Sequence, residues 1–103
     1  MNQSMFKIQA EFCKAMGNAE RLKLVHVLRE HPLTVSEISQ KTNLQQGTVS
    51  RQLSILHSVG VVISRRLGNA RVYQITNDKI GEVCDLVRNI LMEQIHKQAQ
   101  SIK

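Results

Sequence analysis

The sequence predicts a mainly α-helical chain with one small β-hairpin and a long last helix. Apolar residues recur at helical spacing through residues 5–56 and again from residue 77 onward. Between these regions, two β-branched stretches at 61–66 and 71–75 flank a Gly-Asn pair, which is typical of a hairpin. The chain has 103 residues, 42% of them hydrophobic, so we expect residues 1–103 to form a single domain with a packed core.

The first helix is predicted at about residues 3–16. Its apolar side chains form two adjacent stripes, one that includes Ile8 and Phe12 and one that includes Phe6 and Cys13. A helix that is buried on one side only needs a single apolar stripe. The two stripes therefore indicate a helix that packs against two different surfaces.

Two short helices are predicted next. Asn18 can cap a second helix at about residues 19–30, because its side-chain oxygen can accept a hydrogen bond from a free backbone amide. Thr34 is followed three residues later by Glu37, and this spacing forms a capping box for a third helix. Residues 42–44 are expected to form a tight turn after it.

The fourth helix is predicted from about Gln46 to Ser58, and with the third it forms a helix-turn-helix at about residues 34–58. Val49, Leu53 and Leu56 are spaced to face the core. The remaining face is rich in amides and hydroxyls, which can donate and accept hydrogen bonds at base edges in the major groove. The candidate DNA contacts in this region are Gln45, Gln46, Gly47, Thr48, Ser50, Arg51, Gln52 and Ser54.

Positive charge is concentrated in the middle of the chain. The sequence has 14 Lys and Arg against 8 Asp and Glu, a net charge of +6, and no carboxylate lies between Ile38 and Asn77. A purely positive segment between mixed segments indicates a surface that faces a polyanion, although a solvated basic face with no partner has the same composition. The hairpin, predicted at about residues 61–75, supplies the other candidate DNA contacts: Arg65, Arg66, Asn69 and Arg71.

No membrane or secretory segment is visible in the sequence. The longest apolar runs are far shorter than the ~18 residues of a membrane span, and the first residues do not have the pattern of a signal peptide. Two cysteines are too few for a disulfide framework. We therefore expect a cytoplasmic chain with reduced thiols and no membrane partner.

Three motifs along residues 15–75 carry a family resemblance. They are Ala15 to Leu22, Leu33 to Ile38 and, above all, Gln46 to Leu56. Together they resemble the ArsR/SmtB family of winged-helix repressors, whose recognition helix has a Val/Ile-Ser-basic-X-Leu pattern. The resemblance implies a winged helix-turn-helix with four helices, a two-stranded wing and a long C-terminal helix.

The resemblance also implies an assembly. Family members are homodimers built from the first and last helices, here at about residues 3–16 and 77–98, and they bind a pseudo-palindromic operator in double-stranded DNA. The two apolar stripes of the first helix agree with such a role.

The family's sensing sites are altered in this sequence. Where many members bind thiophilic metals through Cys-Val-Cys, this chain has Thr34-Val35-Ser36, and hydroxyls are poor ligands for soft ions. Other members bind a metal ion on the last helix, and of the residues at that site only Glu93 is still of a type that binds the metal. Another branch uses a pair of cysteines in the second and last helices, and here the second-helix position is occupied by His26. We therefore expect no metal site and no cofactor, and the sequence leaves the effector unidentified.

Cys13 on the first helix and Cys84 on the last helix have three interpretations. They are small apolar residues, or a thiol switch, or a site for arsenite or another soft species. A disulfide requires Cα atoms within about 7 Å, a distance that sequence alone does not give.

The sequence indicates a DNA-binding protein rather than an enzyme. It has no glycine-rich phosphate loop and no G-x-S-x-G elbow. We expect a homodimeric, sequence-specific transcriptional regulator, most simply a repressor, that reads bases with Gln46, Ser50 and Arg51. Two alternatives remain open, a winged-helix module that binds other proteins and an architectural protein that binds DNA without sequence preference.

Overall fold

A computed structural model of the protein describes residues 3–101. The predicted class is confirmed, since helices dominate and the strands form one small antiparallel sheet. The described elements are α1 (Gln3–Met16), α2 (Ala19–Leu28), β1 (Leu33–Thr34), α3 (Val35–Thr42), α4 (Gln46–Ser58), β2 (Val62–Leu67), β3 (Ala70–Ile75) and α5 (Lys79–Ser101).

The predicted helix caps are present. The side-chain oxygen of Asn18 accepts a hydrogen bond from the Arg21 amide at 3.0 Å, at the start of α2. At the start of α3, the Thr34 hydroxyl accepts from the Glu37 amide at 3.2 Å, and the Glu37 carboxylate accepts from the Thr34 amide at 2.9 Å. Asn43 ends α3 in the left-handed region, with φ 63°. These features follow from local sequence because each hydrogen bond spans only three residues.

The core lies where α2, α3 and α4 pack against the sheet. Val49, Leu53 and Leu56 are fully buried on the inner face of α4, as their spacing predicts. The other fully or almost fully buried core side chains are Leu24, Val25, Leu28, Leu33, Ile38, Val61 and Val62. This core holds α4 by one face and leaves its other face on the surface.

The sheet has three strands in the order β1-β3-β2, one more than the predicted two-stranded hairpin. Leu33 pairs with Tyr73, and Thr34 pairs with Val72. A strand of two residues is too short to show any alternation of apolar and polar residues, so β1 was not predicted. We call the β2-β3 hairpin, residues 62–75, the wing.

The two terminal helices project from this body. The Cα radius of gyration is 16.0 Å and the extents are 57 × 38 × 22 Å, whereas a compact domain of this length has a radius near ~13 Å. Residues 86–100 of α5 are all exposed, and so are residues 4–11 of α1. Long stretches of both helices thus present much of their surface to solvent within the described residues.

Candidate nucleic-acid interface

The outer face of α4 is polar and open to solvent. Gln46, Ser50 and Ser54 follow one another at intervals of four residues, and Arg51 lies on the adjacent row, so these side chains project from one side of the helix. All four are exposed, as are Gln45 and Gly47, whereas Thr48 is half-buried. No described side-chain hydrogen bond or ion pair occupies the polar groups of these residues. Their donors and acceptors are therefore available to a ligand.

The backbone at the start of α4 is also accessible to a ligand. A side-chain carbon placed on Gly47 would meet no atom within 4 Å. The amides of the first helical turn have no partner within the helix, which makes a helix N-terminus suited to bind an anionic group such as a phosphate.

Gln52 does not lie on this outer face, so its prediction as a DNA contact is wrong. The side chain is only 6% exposed. Its Oε1 accepts a hydrogen bond from Arg21 Nη1 at 2.8 Å, and its Nε2 donates to the Glu20 carboxylate at 2.7 Å. Position 52 lies three residues after Val49 and four before Leu56, which is the spacing of the buried stripe. That spacing was visible in the sequence, but the polarity of the side chain outweighed it.

The wing places its arginines on two faces. Arg66 lies directly opposite Arg71 in the β2-β3 register, whereas Arg65 lies opposite Val72. Because neighbouring residues of a strand point to opposite faces, Arg66 and Arg71 share one face and Arg65 projects from the other. All three are exposed, and so is Asn69 at the tip. The wing thus carries a pair of like charges on one face.

Only one of these arginines has a described hydrogen-bond partner. Arg71 Nη1 donates to the Ser64 hydroxyl at 3.0 Å, across the face that it shares with Arg66. Like charges placed directly opposite each other destabilise a sheet. The Arg66–Arg71 pair is therefore a local cost to the free protein, and bound anions would relieve it.

No described ion pair within residues 4–100 involves Arg51 or an arginine of the wing. Among residues 4–100, the described ion pair joins Arg29 of α2 to Asp85 of α5, with two nitrogen–oxygen contacts of 2.8 and 3.0 Å. The hydrogen bonds from Arg29 lower the pKa of Asp85 below its ordinary value, and the pKa of Arg29 is raised for the same reason. The backbone amide of Thr34 similarly lowers the pKa of Glu37. The positive charge of the wing and α4 is therefore not neutralised from within the described chain.

An apolar groove of about 440 Å³ lies between α1, α2 and α5. Both cysteines line it, Cys13 from α1 as an exposed residue and Cys84 from α5 as a half-buried one. His26 of α2 lies in the same groove. The other lining residues include Phe12, Met16, Leu22, Val83, Val87 and Leu91.

No group of three or more His, Cys, Asp or Glu side chains within residues 3–101 is arranged to hold a metal ion. None of the described helices combines the length and apolar character that crossing a bilayer requires.

The chain is similar in sequence to known bacterial regulatory proteins. The family model described as bacterial regulatory protein, arsR family, matches residues 18–64, which contain α2, α3 and α4. The HTH-type transcriptional regulator Rv0081 of Mycobacterium tuberculosis is 33% identical over 91 residues, covering 87% of this chain and 80% of that protein. The biofilm growth-associated repressor of Xylella fastidiosa is 32% identical over 90 residues, covering 87% of this chain and 78% of that protein.

Solved structures show the same architecture. The crystal structure of Rv0081 superimposes with a TM-score of 0.83 at 29% identity, covering 95% of this chain and 99% of that one. The solution structure of the homodimeric winged helix-turn-helix DNA-binding domain of Mb0332 from Mycobacterium bovis has a TM-score of 0.81 at 26% identity, covering 91% and 87%. The relatives are transcriptional regulators, and this chain belongs to the ArsR family of bacterial regulatory proteins.

Proposed function

We propose that this chain is a homodimeric, sequence-specific DNA-binding transcriptional regulator of the cytoplasm, and that it represses by occupying its operator. Residues 1–103 form one winged-helix domain in this proposal. The observation that carries it is the outer face of α4, where Gln46, Ser50 and Arg51 are exposed and have no described internal partner. The exposed arginines of the wing lie on the same carboxylate-free stretch of chain. No enzymatic step is part of the proposal.

The two surfaces have different roles on DNA. Amide and guanidinium groups on α4 can make paired hydrogen bonds to base edges in the major groove, which is how sequence is read. Arg65, Arg66 and Arg71, with Asn69, contact phosphates or the minor groove, which fixes the position of the protein without reading sequence. Gln45, Thr48 and Ser54 flank the base-reading residues and are suited to phosphate contacts.

The terminal helices support the homodimer. On α5, Val87 is 51% exposed, Ile90 53% and Leu91 50%, and on α1 Phe6 is 50% exposed. Contiguous apolar surface of this kind marks a protein interface. A second copy of the chain covers it with the same helices, and its two-fold axis relates two copies of α4. Such a dimer reads two half-sites separated by one DNA turn, about 34–36 Å.

The homodimer is tested by placing a charge in this surface. Ile90→Glu is expected to convert a dimer into a monomer in light scattering, because an unpaired carboxylate would be buried at the interface. Asn89→Glu, the exposed neighbouring residue, is the matched control for added charge. A wild-type protein that is monomeric at micromolar concentration contradicts the proposed dimer.

The DNA-reading role is tested by selecting binding sites from random duplexes and comparing the best site with random DNA. A regulator should prefer its site by at least ~10³-fold. Arg51→Ala should weaken binding to the selected site by about 1–3 kcal/mol and leave random DNA nearly unaffected. Arg66→Gln is the matched control, since loss of a phosphate contact weakens both kinds of DNA alike.

The other outcomes of this selection identify the alternatives. Equal loss on both DNAs for Arg51→Ala contradicts its base contact. DNA binding with a specificity ratio near one supports the architectural protein, and no DNA binding supports the protein-interaction module.

The regulation that we propose uses the two thiols. Cys13 and Cys84 line the same groove, and Cys13 is accessible to solvent. A hydroperoxide oxidises the pair to a disulfide: the two thiols lose two electrons and two protons, and the peroxide is reduced to water and an alcohol, or to two waters. The new bond joins α1 to α5, within one subunit or between two subunits, and changes how these helices support DNA binding.

This switch is tested by treating the protein with peroxide and measuring both its mass and its operator affinity. We expect the mass to fall by that of two hydrogen atoms for each disulfide formed and operator binding to weaken. Reduction with a dithiol should restore both the mass and the affinity. Cys13→Ser and Cys84→Ser should both resist the treatment. Unchanged affinity after oxidation of both thiols would leave them as small apolar residues.

A further inference from the structure

We infer that Gln52 and Arg21 are positioning residues that set the orientation of α4 relative to α1, and that sequence-specific DNA binding depends on their hydrogen bonds. The inference rests on the proposed DNA-reading function. The contacts that carry it are internal to the protein: Arg21 Nη1 donates to Gln52 Oε1 at 2.8 Å, and Gln52 Nε2 donates to the Glu20 carboxylate at 2.7 Å. None of these side chains needs to touch DNA.

The same arginine joins three helices. Its backbone amide is bound by the cap Asn18, which fixes the start of α2. Its Nε donates to the backbone carbonyl of Ala15 in the last turn of α1, and its Nη1 donates to Gln52 of α4. Carbonyls in the last turn of a helix have no hydrogen-bond partner within the helix, and their partial negative charge is stabilised by a nearby cation. Arg21 therefore links the C-terminal end of α1 to the recognition helix.

The apolar contacts set which face of α4 is buried, and the hydrogen bonds of Gln52 limit the small rotations that remain. Val49, Leu53 and Leu56 anchor the helix by burial, which is roughly proportional to area and has no preferred direction. Gln52 is held at both ends of its amide, so a rotation of α4 about its axis must stretch or break one bond. An apolar side chain at position 52 would keep the burial and lose this constraint.

The size of the effect follows from helix geometry. Side-chain ends lie about 6 Å from the helix axis, so a rotation of about 10° moves them by about 1 Å. A binding constellation has to be held within about 0.5 Å to stay productive. A small rotation of α4 is therefore enough to impair the base contacts of Gln46 and Arg51 without unfolding the protein.

The test compares variants at position 52 by the ratio of their affinities for the selected site and for random DNA, with thermal unfolding measured in parallel. Gln52→Met keeps the volume and removes both hydrogen bonds, and we expect the ratio to fall by about tenfold or more. Leu56→Met is the matched control, because it alters the packing of the same helix and leaves the polar contacts in place. Its ratio should stay close to that of the wild type.

A charge exchange provides the rescue. Gln52→Glu alone places two carboxylates within hydrogen-bond distance and should also lower the ratio. Combining it with Glu20→Gln restores a donor and an acceptor in reversed order and keeps the net charge of the wild type. We expect the double variant to recover the ratio to within about threefold of the wild type, since both hydrogen bonds can form again.

The outcomes are distinguishable. If Gln52→Met lowers the melting temperature and leaves the ratio unchanged, the network is only structural and the inference is wrong. If Gln52→Met does not fold, the double variant Gln52→Glu with Glu20→Gln decides. If that variant folds and its affinity ratio is not restored, the inference is wrong. If the wild type itself has a ratio near one, the proposed function fails, whatever the variants do.

Discussion

Replacement of Arg66 by Gln should stabilise the free protein slightly and weaken its binding to DNA. Arg66 faces Arg71 directly across the wing, so the two positive charges repel each other in the absence of a ligand. Gln keeps most of the side-chain stem and removes the charge. Few surface substitutions have opposite effects on folding and on function, which makes this one informative.

The magnitude follows from the spacing of the pair. Two unit charges about 5–8 Å apart in water interact by about 0.5–0.8 kcal/mol. Salt at physiological strength, with a Debye length near 8 Å, reduces this to about 0.2–0.4 kcal/mol. For a domain of this size, that gain in unfolding free energy corresponds to a rise of about 1–3 °C in melting temperature.

The effect on DNA has a separate signature. In the proposed homodimer the substitution removes one phosphate contact from each subunit, so the slope of log affinity against log salt becomes less steep by about 1.8. Between about 50 and 200 mM salt, the ratio of the wild-type affinity to the variant affinity should therefore shrink about twelvefold. The assay is a titration of labelled duplex at several salt concentrations, paired with thermal denaturation of the free protein.

Arg65→Gln is the matched control for stability. Arg65 lies opposite Val72 and has no like charge across from it, so its replacement should not raise the melting temperature. A melting temperature that falls for Arg66→Gln would refute the repulsion, and an unchanged salt slope would refute the phosphate contact.

Three further predictions concern the body of the protein. Thr34→Ala removes one half of the capping box and should lower the unfolding free energy by about 1 kcal/mol, measured by chemical denaturation. Gly81→Ala places a carbon 2.2 Å from Arg29 Nε, which must move; we expect the pKa of Asp85 to rise toward its ordinary value in an NMR titration, with the fold retained. An unchanged pKa would mean that the ion pair re-forms. The pKa of Glu37 is lowered from 4.5, so the folded state binds fewer protons than the unfolded chain; the stabilisation is present above pH 4.5 and is lost as the pH falls through the lowered pKa. The melting temperatures of wild type and Glu37→Gln should therefore converge below that pH, and a constant difference would contradict this role.

Local signals in the sequence predicted much of the fold. The caps at Asn18 and Thr34 and the turn at Asn43 depend on contacts within a few residues, so they could be read directly. The helix bounds were close, although α2 ends at Leu28 rather than at residue 30, and α5 spans Lys79–Ser101 rather than 77–98. Helix ends are set partly by packing, which a local pattern does not contain.

The candidate site was predicted less completely. The exposed positions of Ser50 and Arg51 agree with the expected outer face of α4. Gln52 has the spacing of the buried stripe of α4, but its hydrogen-bond partners, Glu20 and Arg21, are more than 30 residues away along the chain and could not be predicted from it. Which arginines of the wing share a face depends on strand register, and the sequence did not specify that register.

By itself, the sequence determined the order of the five helices and of the two wing strands, the inward stripe of α4 and the carboxylate-free stretch from Ile38 to Asn77. Each depends on residue type and spacing along the chain. Only the tertiary structure decided that Gln52 of α4 pairs with Glu20 and Arg21 of α2, that Arg66 faces Arg71, and that both cysteines line one groove. These relationships arise when distant segments pack together, because side-chain partners are then chosen by geometry in three dimensions rather than by separation in sequence.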